Sequence, residues 1–355
     1  MSTLPGQDPL NAQNDNLNEE EANSFDRADQ VDSGLSGERG SDLDSAGWRG
    51  AEADGFQPIA AAPVERFAEA EPRLLFQSFS KADLEAPPRI PHLGHLCVLA
   101  ILSFTSALCA GLLGRVALHF HLFGVSKTTE AVSDIHYMLG SMGVLYVLTF
   151  VLSLLVFPLF WHKSLFAGLQ WRAQTAVHLR RRLFGAAGVC FVLALVSGAV
   201  MPGPPDTPID KIFRTPGAAW LLFFFGVTFA PFFEEIVFRG FLLPAICTAY
   251  DWTAEWISGE PSPGSDENGH PLWSVPAMVA GSILTSVPFA LMHGEQTSYA
   301  AGPLLLLVCV SLVLCWARLS TRSLAASVLV HASYNFLLFF LMLLGTGGFR
   351  HLEKM

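Results

Sequence analysis

Three strongly apolar stretches of this chain carry a few side chains able to do chemistry: Glu234, Glu235 and Arg239; His293; and His331 with Asn335. Glu235 and Arg239 stand four residues apart, so on a helix they share a face and can pair. Glu234 is turned from its neighbour by about 100° and stays free of that pair. Phe289 and His293 have the same i, i+4 spacing, as do His331 and Asn335. Three helices thus each offer one polar face, which points to a single buried site. A carboxylate beside a neutral imidazole, shielded from bulk water, can act as general base on a water molecule. A second imidazole and an amide N–H on a rigid helix are donors for a developing oxyanion. Together these are the minimum parts for hydrolysing a peptide bond. No GxSxG or HExxH occurs, and no Cys adjoins a His. Pro231 and Pro288 are expected to kink their helices and open space at the site.

The elements that hold these residues are read from hydropathy. Of 355 residues, 51% are hydrophobic and only 15% charged, well below the roughly 25% charge of an average soluble domain. The charge is also segregated. Residues 1–90 hold 18 Asp/Glu against 7 Lys/Arg, and the rest hold 13 against 14. The formal net charge of −10 therefore belongs to the N-terminal tail. A nucleic-acid binder acting through bulk charge is excluded, and a single soluble globule does not fit. Apolar runs of span length fall at about 95–118, 137–160, 183–201, 217–247, 274–293, 302–317 and 322–344. The expected fold is all-α, a polytopic transmembrane helical bundle of seven or eight spans, because backbone amides in lipid must bond within their own segment.

Residues 1–90 are expected to form a disordered acidic tail, with a surface helix at 64–84. Residues 91–134 would hold the first span and its connector, and 135–350 the functional domain. Lys163, Arg172, Arg180, Arg181 and Arg182 form the densest basic cluster, which places that connector and the tail in the cytoplasm. Arg318 and Arg322 read as loop cations on the same side. All six cysteines fall within apolar spans and read as small core-facing residues. On a level bundle the depths disagree, since His293 ends its span while His331 lies about nine residues into its own.

EEIVFR (234–239), FALMH (289–293) and HASYN (331–335) resemble the EExxxR, FxxxH and HxxxN motifs of the CAAX-protease and bacteriocin-processing (CPBP, or Abi) family of intramembrane proteases. That family includes the type II CAAX prenyl endopeptidases, and its core commonly has eight spans. The continuation EEIVFRGFLLPA and the lead-in SLAASVLVHASYN resemble it too, and the resemblance covers roughly residues 135–345. It implies a multi-pass protein of the plasma or inner membrane that cleaves a membrane-associated protein or peptide. Glu234 and His293 would activate the water, and His331 and Asn335 would form the oxyanion site. Glu235 and Arg239 would orient the site or meet substrate, and Phe289 would shape the pocket. No cofactor is expected. Glu234, His293 and His331 are a conceivable three-ligand zinc set, but the metal-independent mechanism is preferred because Asn335 is a poor zinc ligand. Other readings stay open: a non-catalytic scaffold or immunity protein on the same fold, or a proton-relay transporter. The Glu235–Arg239 and His331–Asn335 pairs could also be purely structural.

Overall fold

A computed structural model describes residues 89–131, 134–204, 207–208, 213, 217–266 and 270–350. The acidic tail through residue 88, with its expected surface helix, lies outside the described residues. Among the described residues, seven helices are long and apolar enough to cross a membrane. They are α1 (Leu93–His119), α2 (Ile135–Trp161), α3 (Arg180–Val200), α4 (Ala218–Ser258), α5 (Val275–Met292), α6 (Ala301–Thr321) and α7 (Leu324–Gly345). No strand occurs among these residues; an isolated bridge joins Ser265 and Pro271. The protein is an all-helical integral membrane protein.

The helices bury little by amphipathicity, since their outer faces are as apolar as their inner ones. Phe104, Leu159 and Val200 are 66%, 74% and 72% exposed, a surface suited to lipid. At the crossings lie small and hydroxyl residues instead, among them Ser106, Ser153, Thr248, Ser286 and Ser311. Packing between spans depends on close backbone approach and polar contacts, because lipid offers no hydrophobic drive between helices. Ser106, Ser153 and Ser286 return their hydroxyls to carbonyls one turn back. α1 packs on α2, while α3 packs on α6 and α7. The C-terminal half of α4 packs on α5, and its central part on α7. Three of the six cysteines, Cys190, Cys247 and Cys315, face the core as expected; Cys97 lies on the outer surface of α1.

α4 is not a uniform helix. It contains π-helical stretches at Phe225–Phe229 and Ile236–Leu242, on either side of the α-helical Ala230–Glu235. Each π stretch runs into a proline, Pro231 and Pro244. Proline lacks an N–H and its ring displaces the carbonyl four residues back, so the ladder there must loosen. The distortion expected at Pro231 thus takes the form of an i→i+5 opening rather than a sharp kink. Pro288, by contrast, sits inside a continuous α5.

The depth mismatch has a simple origin. Leu324, at the start of α7, lies against Gly240 of α4, whereas Ser274, the N-cap of α5, bonds Asp251. Those α4 positions are eleven residues apart, about 16 Å along a helix. α5 therefore begins about 16 Å before α7, alongside the long C-terminal half of α4. His293 and His331 meet at one level because their helices start at different ones.

Arg318 corrects the sequence reading. It is not a loop cation but lies in the last turn of α6, 1% exposed. Its guanidinium donates to Gln170 Oε1 at 2.8 Å and to the carbonyls of Arg239 and Leu169 at 3.2 and 3.3 Å. It ties the connector after α2 to the middle of α4, so only Arg322 remains as a topological marker in that loop. Tight packing elsewhere is testable at Gly302, where an added Cβ would run into the Met201 carbonyl oxygen. Backbone cannot yield cheaply, so Gly302→Ala should cost about 1–3 kcal/mol, read as an earlier thermal melt in detergent. A melt equal to wild type would show that α3 and α6 can separate freely.

Candidate active site

The three polar faces converge. Glu234 Oε2 of α4 lies 3.9 Å from Nε2 of His293, just past the end of α5. It lies 3.9 Å from Nε2 of His331 on α7 as well. Neither gap is a direct hydrogen bond, which needs about 3.2 Å or less. Both leave room for a small molecule held off the connecting line, about 2.8 Å from each atom. Glu234 is 8% exposed and His331 is 4% exposed, so the charge sits largely away from solvent.

Glu235 points the other way. Arg239 Nη1 donates to its Oε1 at 2.8 Å, with both side chains fully buried. The i, i+4 pair anticipated from spacing forms. Arg239 Nη2 donates in addition to Ser311 O and Oγ of α6, at 3.0 and 2.6 Å. The guanidinium carbon lies 4.5 Å from the centre of the Phe289 ring, a cation–π arrangement. Phe289 is 1% exposed and also packs against the rings of His293 and His331. It is a wedge that sets the positions of both imidazoles and the guanidinium. Ser311 was missed at the sequence level; its only signal was a lone hydroxyl inside an apolar run.

Hydrogen bonding fixes the tautomers. His293 Nδ1 lies 2.9 Å from the Phe289 carbonyl, an acceptor only, so Nδ1 carries the hydrogen. Its Nε2, which faces Glu234, then bears a lone pair when the ring is neutral. His331 Nδ1 lies 3.0 Å from Glu235 Oε1 and likewise carries its hydrogen there. His331 Nε2 is therefore an acceptor in the neutral ring and a donor only in the imidazolium. Asn335 was expected to face an oxyanion beside His331. Its Nδ2 instead donates to the Gly226 carbonyl at 2.8 Å, inside the first π stretch of α4. A π stretch leaves carbonyls short of donors, and Asn335 supplies one. One amide hydrogen of Asn335 is thus committed to α4.

Among the described residues, no group of three His, Cys, Asp or Glu is arranged to hold a metal ion. The 3.9 Å gaps are wider than the roughly 3.3 Å between neighbouring ligands of a tetrahedral zinc with 2.0 Å bonds.

Residues 216–337 match the family model described as Type II CAAX prenyl endopeptidase Rce1-like, about a third of the chain. The match spans Glu234, His293, His331 and Asn335. Searches of curated proteins and of solved structures return no match. With its three polar faces inside the matched segment and its seven apolar helices, the chain carries a type II CAAX prenyl endopeptidase Rce1-like domain at residues 216–337.

Proposed function

We propose that the protein is a glutamate-dependent intramembrane endopeptidase. One observation carries this reading: Glu234 Oε2 is equidistant from Nε2 of His293 and of His331, inside a helical bundle that suits lipid. Glu234 and the lone pair of His293 Nε2 are both acceptors, so together they can hold both hydrogens of one water. As the water oxygen attacks the scissile carbonyl carbon, Glu234 takes a proton and the carbonyl π electrons move to oxygen. On collapse, the C–N bond breaks and the proton held at the site passes to the leaving amine. His331, held through Nδ1 by Glu235, would donate from Nε2 to the tetrahedral intermediate once that nitrogen carries a proton. Asn335 would serve both helix geometry and the site, with one hydrogen on Gly226 and one free. The substrate is a membrane-associated protein or peptide cut near its C-terminus, as the family's description suggests.

The test is unbiased as to substrate. C-terminal and membrane peptidomes of cells expressing wild type and Glu234→Gln are compared; products present only with wild type are expected. If none differs, a non-catalytic scaffold on the same fold takes over as the reading. The mechanism is metal-independent on this proposal, so cleavage should survive exhaustive chelation while His293→Ala abolishes it. Loss on chelation that added zinc restores would overturn that part. The basic connector after α2 supports a cytoplasmic N-terminal tail. A protease added outside sealed cells should then leave a tag at the N-terminus intact.

A further inference from the structure

The donors around Glu234 are largely committed. His293 Nδ1 is held by the Phe289 carbonyl, and His331 Nδ1 by Glu235. Asn335 gives one hydrogen to Gly226, and the Arg239 guanidinium is fully buried against Glu235 and Ser311. Beyond the second amide hydrogen of Asn335, a neutral donor for a peptide carbonyl must come from elsewhere.

α2 supplies one. Its face toward α4 is aromatic: Phe150 packs on Phe232 and Phe233, and Phe157 on Phe241. Tyr146, one turn before Phe150, continues this face. Its ring stacks on Phe233 at 5.0 Å and on Phe225 at 6.0 Å, with interplanar angles of 29° and 18°. Phe233 directly precedes Glu234 in the same α-helical turn of α4, so the stack lies beside that carboxylate. Phenylalanine would stack equally well, so packing does not account for the hydroxyl. Tyrosine in a membrane protein usually places its O–H at the interface or on a partner. Tyr146 is the twelfth residue of the 27-residue α2, near mid-span. Its hydroxyl makes no hydrogen bond within the described residues and is not one of the fully enclosed polar atoms, so it is open to a ligand.

We infer that the Tyr146 hydroxyl is a catalytic donor, contributed by α2 from outside the matched segment, that holds the scissile carbonyl oxygen and stabilises it as an oxyanion. The phenol donates a hydrogen bond and keeps its proton throughout. The two flanking rings fix its direction before substrate arrives, so no reorganisation is needed during the reaction. This rests on the endopeptidase reading.

The test uses the full-length protein in membranes and follows the products that wild type makes and Glu234→Gln does not. Tyr146→Phe keeps the ring stack and removes only the donor. The rate of product formation should fall about 10²-fold, the scale of losing one oxyanion donor, with the thermal melt unchanged. A wild-type rate in Tyr146→Phe, with Glu234→Gln inactive, would overturn the Tyr146 role and leave the protease standing. Products persisting in Glu234→Gln would overturn the protease reading itself. As a second measurement, 3-fluorotyrosine at position 146 keeps the shape but makes the phenol more acidic. It should strengthen the donated hydrogen bond and change the rate of cleavage at fixed pH, and an unchanged rate counts against the proposal.

Discussion

Glu234→Gln is expected to lower cleavage by about 10³-fold, within the range supplied by one positioned general base, while leaving the helical bundle intact. Glutamine is nearly isosteric and can still accept a hydrogen bond from water, but it cannot take the proton. Glu234 makes no ion pair closer than 3.9 Å, so its neutralisation leaves no buried charge unpaired. The neighbouring Glu235→Gln should lower the thermal melt as well as the rate. It strands the Arg239 guanidinium, fully buried with Glu235 as its only carboxylate within ion-pair distance among the described residues. Two adjacent carboxylates thus separate into a chemical and a structural role. Measuring rate and thermal melt on both variants decides it. Equal loss of melting temperature in the two would collapse the distinction.

The second large effect concerns the ion pair itself. Arg239→Met leaves Glu235 charged, buried and without its cation. Removing one partner of such a pair costs about 3–5 kcal/mol, and detergent melts should show it directly. The double variant Glu235→Gln/Arg239→Met removes both charges and should recover most of that stability. Recovery of activity should not follow. His331 Nδ1 bonds Glu235 Oε1 at 3.0 Å, and a neutral amide there no longer favours an imidazolium. Stability without rate is the signature to seek. A single Arg239→Met variant that melts like wild type would show that neither the pair nor the Arg239 bonds to Ser311 stabilise the bundle.

What could be read from sequence followed the cost of placing charge in lipid. Glu234, Glu235, Arg239, His293 and His331 were conspicuous because each interrupts an apolar run. The seven helices were legible for the same reason. The depth of the site was not, because it depends on α5 starting beside Asp251 of α4, a relation between helices that no local window contains. Arg318 was misread because its partners, Gln170 and Leu169, lie 148 and 149 residues away. A cation near the end of an apolar run looks like a loop residue until the acceptors are located. Asn335 was expected to face the site beside His331, but its bond to Gly226 depends on the π geometry of α4. Tyr146 carried a weaker signal, a lone phenol at the centre of a span, which composition counts simply as another aromatic.

The π stretches of α4 make residue count matter more than residue identity. Phe225–Phe229 and Ile236–Leu242 each hold the chain out of step with an ordinary α-helix, on either side of Glu234 and Glu235. Deleting one residue from the first stretch would turn everything before it by about 100°. The Gly226 carbonyl would swing away from Asn335, and Phe225 from Tyr146. A deletion in the second would carry Arg239 off the face it shares with Glu235. An aromatic-for-aliphatic exchange at the outward-facing Phe229 should therefore be absorbed by lipid, whereas a frame-preserving loss or gain of a single codon should be fatal. The helix behaves as a ruler with two set marks, and the active site is read off between them.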